Sequence, residues 1–265
     1  MDPRFRQAMR KIGREYLRNL LRPVVFLGSV ASGFPEQLNF RKWRKRETAY
    51  YLDLCGVRSL GVVLMISVLM GAVLALQSAL QMRKFGAEIF VIDLVGFAVL
   101  KEFGPLMVAM IATGRAGSAF AAEIGTMKVN EEISALETMG LDAVGYLVYP
   151  KLWAMLIALP LLTVFGDIAG ILGGMLVGVS WLEIPVSSYW TRTIDTLDGV
   201  TFLLGVLKSA VFALTVTLTG CYCGFSASGD AQGVGRGATN AVVSAIILVV
   251  VCDAIMTLLY SFVGY

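Results

Sequence analysis

The chain has 265 residues, 57% of them hydrophobic, and a formal net charge of only +3. Its mean hydropathy of +0.75 excludes an ordinary soluble domain and indicates an integral membrane protein. Histidine is absent, which removes the commonest general base and the commonest metal ligand, so neither catalytic residues nor a metal site are expected. Of the four cysteines, Cys221 and Cys223 point to opposite sides of a helix, and Cys55 and Cys252 are remote in sequence, so neither a disulfide framework nor a zinc site is predicted.

In chain order, residues 3–22 predict an amphipathic helix. Phe5, Met9, Ile12, Tyr16 and Leu20 follow one another by three or four, with Arg10, Arg14, Arg18 and Arg22 on the other side. Such a helix lies in the membrane interface with its arginines on anionic head groups, and nothing in it supports nucleic-acid binding. Residues 23–34 are apolar but about half the length needed to cross a bilayer, and read as interfacial or re-entrant. The run Arg41-Lys42-Trp43-Arg44-Lys45-Arg46, followed by Tyr50 and Tyr51, marks the cytoplasmic membrane surface. Up to Arg58 there are 13 basic and 5 acidic residues, against 9 and 14 beyond it. This asymmetry divides the chain into a basic surface region, 1–58, and a span-bearing region, 59–265, and places the N-terminus in the cytoplasm. The first residues are too charged for a secretory signal peptide.

Five spans follow, at about 59–80, 89–113, 152–180, 200–225 and 239–264, each long enough to cross. With the N-terminus inside, the loops 114–151 and 226–238 are cytoplasmic and the C-terminus is outside. Arg83 and Lys84 then fall on the outer side, against the usual bias. No internal repeat is visible, and an odd number of spans argues against an inverted-repeat carrier. The third span carries Gly166, Gly170, Gly174 and Gly178, a flat stripe for helix packing, either within the chain or at a dimer seam. Pro160 is expected to kink that span.

Charges inside apolar spans are costly and need partners or water. Lys101 and Glu102 lie in the second span, Asp167 in the third, Lys208 in the fourth and Asp253 in the fifth. They read either as structural ion pairs or as a polar patch that receives a lipid head group, with apolar residues of the first span, such as Leu74, Leu76 and Met82, facing acyl chains.

Residues 114–140 combine two patterns. Gly114, Ser118 and Ala122, and likewise Gly117, Ala121 and Gly125, give small-residue faces for close helix approach. Beyond them Ile133, Leu136 and Met139 recur by three among Glu131, Glu132 and Glu137, which predicts a short helix outside the lipid with an apolar face for a partner. The bland alternative is a solvated loop. The loop after the fourth span holds Gly229, Gly233, Gly235 and Gly237 with Arg236, but no lysine in the chain follows a glycine. A P-loop is therefore absent, and the chain is not its own ATPase by that route.

The strings Gly-Arg-Ala-Gly-Ser-Ala (114–119), Ala-Glu-Ile-Gly (122–125) and Ala-Leu-Glu-Thr-Met-Gly (135–140) resemble the permeases of the Mla/YrbE (MlaE) family, membrane subunits of phospholipid ABC transporters of Gram-negative bacteria. The layout of spans agrees from about Tyr50 onward. The resemblance implies an all-α inner-membrane protein with five transmembrane helices and a cytoplasmic coupling helix. It implies a non-catalytic subunit that binds no cofactor itself and works with a separate ATP-hydrolysing subunit, a second copy of itself and a periplasmic lipid-binding ring protein of the MCE type. In that family lipid sits between two permease copies and the Lys-Glu-x-Gly-Pro segment lines the cavity, which selects Lys101 and Glu102, with Lys208, Asp253, Leu74 and Met82 as further lining. Glu123, Lys128, Glu131, Glu132 and Glu137 become candidates for the ATPase contact, and Arg236 for a second, smaller one. An ion-coupled carrier using Asp167 or Asp253, or a membrane-embedded lipid-modifying enzyme, are the alternatives. The direction of transport and the head group are not fixed by these residues.

Overall fold

The computed structural model describes residues 21–33, 44–196 and 198–263. The amphipathic helix expected over 3–22 lies outside the described residues except for its last two positions, as do the first residues of the basic run at 41–43. All regular structure among the described residues is helical. In order these are α1 (Leu21–Gly33), α2 (Lys45–Phe85), α3 (Glu88–Val129), α4 (Glu132–Thr138), α5 (Ala143–Ser180), α6 (Val186–Thr196), α7 (Gly199–Phe225) and α8 (Ala231–Val263). Helices α2, α3, α5, α7 and α8 are long and apolar enough to cross a membrane. They run alternately up and down, so one end of the bundle carries α4 and the other carries α6.

The helices overrun the hydropathy boundaries. The division at 58/59 falls inside α2, residues 114–129 continue α3 rather than forming a loop, and α8 begins at Ala231, leaving only 226–230 as a loop. Hydropathy marks where lipid ends, whereas a helix ends where capping chemistry stops it. Asp142 provides such chemistry for α5: its carboxylate accepts from the Val144 and Gly145 amides at 3.2 and 3.0 Å. Gly140, at φ +76°, closes α4 in the left-handed region. Lys128 performs the same service for α7, donating from Nζ to the carbonyls of Phe225 at 2.7 Å and Ala227 at 2.8 Å. Lys128→Met is expected to lower stability by about 1 kcal/mol, read as a lower melting temperature in detergent.

Helix packing rests on glycine rather than on apolar driving force, since lipid is as apolar as any side chain. A methyl on Gly71 of α2 would collide with the Gly170 carbonyl of α5, and one on Gly173 with the Val68 carbonyl. A methyl on Gly166 would stand 3.0 Å from Ser67 Oγ, and on Gly174 or Gly178 it would stand 3.0 Å from Tyr189 of α6. The stripe of α5 is thus spent inside the chain, on α2, α6 and, through Val95 and Val99, α3. The row Gly117, Ala121, Gly125 behaves likewise: Gly220 and Gly224 of α7 seat on Gly117 and Ala121. The row beginning at Gly114 does not, because none of the described residues packs over Gly114. The buried centre gathers Phe120 and Ile124 of α3, Met155 and Leu159 of α5, and Phe212 and Val216 of α7. Outward-facing Leu69, Ile247, Val251 and Leu258 remain exposed, as lipid-facing positions should.

Candidate functional site

Helix α3 contains two π turns, Val99–Phe103 and Thr113–Gly117. A π turn re-registers the backbone and frees carbonyls. After the first comes Gly104-Pro105. Proline has no N–H, so the Lys101 carbonyl loses its partner four residues on. The Lys208 ammonium of α7 fills that vacancy at 3.1 Å. The same ammonium reaches Glu102 Oε2 at 2.7 Å, Asp253 Oδ1 of α8 at 2.8 Å and Thr257 Oγ at 2.9 Å. Thr257 in turn donates to Glu102 Oε1 at 2.9 Å. Lys208 is fully buried, while Glu102 and Asp253 retain partial exposure. Three spans are therefore joined at one point, about 14 Å into α7 from its α6 end at 1.5 Å per residue.

Of the five intramembrane charges, the structure unites three. Asp167 is not among them: it is buried against Gly104, where a methyl would collide with its carboxylate, and its Oδ1 has no hydrogen-bond partner among the described residues. The reading of the five charges as structural ion pairs therefore holds for Lys208, Glu102 and Asp253 but does not extend to Asp167. The Lys101 side chain makes no ion pair among the described residues and stays half-buried beside the cluster. Leu74 and Met82 pack in a separate small cluster with Ala75, Ala79, Val91 and Val95, nearer the α6 end. Thr257 was invisible to sequence reasoning, because a threonine in an apolar span carries no signal of its own.

At the opposite end α4 stands out between α3 and α5. Glu131, Glu132 and Glu137 are exposed, as is Met139. Of the apolar face expected to meet a partner, Ile133 and Leu136 are turned inward and only Met139 stays outside. Ile133 is buried and Leu136 packs on the chain's own core. What α4 offers outward is its acidic side. Glu123 is not part of that side: it lies on α3 within the bundle, bonded to Tyr51 and Lys151. Lys128 is occupied as the cap of α7. Arg236, on the first turns of α8, is exposed and, among the described residues, bonds only Gln232, at 3.2 Å.

At the α6 end Arg192 clasps Asp93 of α3 through Nε at 2.9 Å and a terminal nitrogen at 2.6 Å, and Thr196 donates to the same carboxylate at 2.9 Å. That fork holds the guanidinium above its already high ordinary pKa, and burial raises the Tyr189 hydroxyl to about 12. Neither group titrates near neutrality. An open groove of about 490 Å³ runs along α6 past Ile89, Ser188, Thr191, Arg192 and Asp195.

Fold and site together define a class: a five-span helical membrane protein whose spans are knotted by a buried charge cluster, with a short acidic hairpin standing out at one end. This is the layout of a transporter's membrane subunit. Residues 48–259 match the family model described as Permease MlaE, and the chain belongs to that family. It is 40% identical over 205 residues to a probable ABC transporter permease protein of Rickettsia bellii, covering 77% of this chain and 79% of the relative. It is 35% identical over 207 residues to the intermembrane phospholipid transport system permease protein MlaE of Haemophilus influenzae, covering 78% and 79%. A probable ABC transporter permease protein of Synechocystis is 30% identical over 213 residues, covering 79% and 80%.

Proposed function

We propose that the chain is the membrane-spanning permease subunit of an ABC transporter that moves phospholipid between the inner membrane and a periplasmic carrier, maintaining the lipid asymmetry of the outer membrane. The observation that carries this reading is the match to the MlaE permease family over most of the chain, including a relative named for intermembrane phospholipid transport. ATP is bound and hydrolysed by a separate subunit, which docks on the exposed acidic side of α4 through Glu131, Glu132 and Glu137, with Arg236 as a smaller contact. The α4 end faces the cytoplasm, with the N-terminus, and the C-terminus faces the periplasm. A second copy of the chain completes the lipid cavity, and a ring protein of the MCE type receives lipid above it.

Within the cavity the Lys101 ammonium, which has no ion-pair partner among the described residues, attracts the lipid phosphate. Lys208 holds Glu102 and Asp253 in register behind it. Leu74 and Met82 offer apolar surface to acyl chains. When the ATPase subunits close on ATP, α4 is displaced, α3 and α5 move with it, and the cavity narrows. Reversal of all three α4 glutamates to lysine is expected to abolish ATPase association and lipid transfer with the melting temperature unchanged. Co-purification and transfer assays in proteoliposomes check this, and full transport by such a variant would refute the docking role. An ion-coupled carrier, with the proton as its ion, is the second reading, favoured by the buried Asp167 carboxyl, whose Oδ1 has no hydrogen-bond partner among the described residues. Lipid movement by the isolated chain, driven by a proton gradient without ATP, would establish it instead.

A further inference from the structure

The hairpin that carries α4 has two legs, the end of α3 and the start of α5. Glu123 lies about 9 Å before the end of α3, and Lys151 about 12 Å after the start of α5, at 1.5 Å per residue. The two meet across the legs, Nζ to Oε1 at 3.1 Å. Tyr51 of α2 closes a triangle with them. Its hydroxyl donates to Glu123 Oε1 at 2.5 Å and accepts from Lys151 Nζ at 2.9 Å. The third hydrogen of the ammonium goes to the Leu147 carbonyl at 3.3 Å. The ammonium also lies 4.4 Å from the centre of the Tyr51 ring and 5.8 Å from that of Phe120.

Lys151 is fully buried and none of its bonds serves the Lys208 cluster, although its partner Glu123 keeps 38% of its side chain exposed. Taking an ammonium out of water costs several kcal/mol before its attractions are counted, and apolar replacements of buried pairs are often as stable. Stability alone therefore does not account for a lysine here. What a triangle of charged bonds supplies, and apolar packing does not, is fixed separation and register among three helices. It supplies them at the level where the α4 hairpin joins the bundle. A second grip acts just below. Pro150 has no N–H, which frees the Tyr146 carbonyl. Arg44, at the start of α2, donates to that carbonyl at 3.2 Å and to the Tyr146 hydroxyl at 2.8 Å. The first span is thus tied to α5 twice, next to α4.

We infer that Tyr51, Glu123 and Lys151 form the joint that carries displacement of the α4 hairpin into α2, so that the three helices move as one body; this rests on the reading that an ATPase engages α4. These are positioning residues, acting through the helices they bind. The second and third spans alone would transmit a push on α4 to the Lys208 cluster through α3. The triangle adds α2, which carries the glycine contact with α5 and the apolar residues toward the α6 end.

The test uses the chain co-purified with its ATPase subunit and reconstituted in phospholipid vesicles, with ATP hydrolysis and lipid transfer measured in the same sample. Tyr51→Phe removes only the hydroxyl and leaves the ring in place. It is expected to melt near the wild-type temperature and hydrolyse ATP, while moving less lipid per ATP. Lys151→Met is expected to give about ten-fold less lipid per ATP, the size of a typical coupling free energy between linked sites, and Lys151→Arg to recover most of it. Folded Tyr51→Phe and Lys151→Met complexes with the wild-type ratio of lipid to ATP would overturn the joint and leave the transporter reading intact. A wild-type complex that hydrolyses ATP without moving lipid would overturn both.

Discussion

Lys208→Met is expected to give a protein that accumulates poorly, melts well below wild type and transfers no lipid. The single ammonium donates to Glu102, Thr257 and the carbonyl that Pro105 leaves free and pairs with Asp253, and these four groups lie on two other helices, α3 and α8. Methionine fills the same volume but leaves two carboxylates facing each other and a carbonyl without a donor. Removing one partner of a buried ion pair costs about 3–5 kcal/mol, a large part of the 5–15 kcal/mol that holds a typical domain together. The partial exposure of Glu102 places the cost at the lower end. The triple variant Lys208→Met, Glu102→Gln, Asp253→Asn removes the uncompensated charge, and its melting temperature should return most of the way while transfer stays lost. Melting in detergent and vesicle transfer assays measure the two quantities separately. A single Lys208→Met variant as stable as wild type would show that the cluster is not an ion-paired unit.

Alanine at Gly71 and alanine at Gly61 should act with opposite signs, although both lie in α2. At Gly71 the new methyl meets the Gly170 backbone carbonyl, which cannot rotate aside, so α2 and α5 must separate along their glycine contact. Forced overpacking costs about 1–3 kcal/mol when side chains can yield, and here only backbone can yield. At Gly61 none of the described residues would lie within 4 Å of the new methyl, and alanine gains up to about 1 kcal/mol of helix propensity over glycine. Gly71→Ala should therefore lower the melting temperature by several degrees and Gly61→Ala leave it level or raise it. Equal melting of the two would contradict the α2–α5 contact.

The number and order of the spans were legible because lipid imposes one requirement on every segment that crosses it, about 20 apolar residues in a helix. The ends of those helices were not, because α2, α3 and α8 continue through polar sequence that hydropathy scores as loop. Lys151 escaped notice for that reason: the third span was drawn from 152, one residue too late to flag a buried lysine. The signal was present, a charge beside Pro150 in an otherwise apolar run. The face of α4 was read as amphipathic correctly, but its apolar side was assigned to a partner. Ile133 and Leu136 instead pack on the chain's own core, and periodicity does not say what an apolar face will meet.

By itself, the sequence determined that this is a five-span helical membrane protein of the MlaE permease kind, with costly charges in its spans, a glycine stripe and an acidic hairpin. Composition, span length and local motifs are properties of neighbouring residues, so they can be read in order along the chain. Only the tertiary structure decided that Lys208 takes Glu102 and Asp253 but not Asp167, that the glycine stripe of α5 is spent on α2, α3 and α6, and that Glu123 belongs to Tyr51 and Lys151. Each of those outcomes depends on which helices become neighbours and at what depth and rotation they meet. Bonds of about 3 Å between residues as many as 155 positions apart are set by packing, which no single stretch of sequence contains.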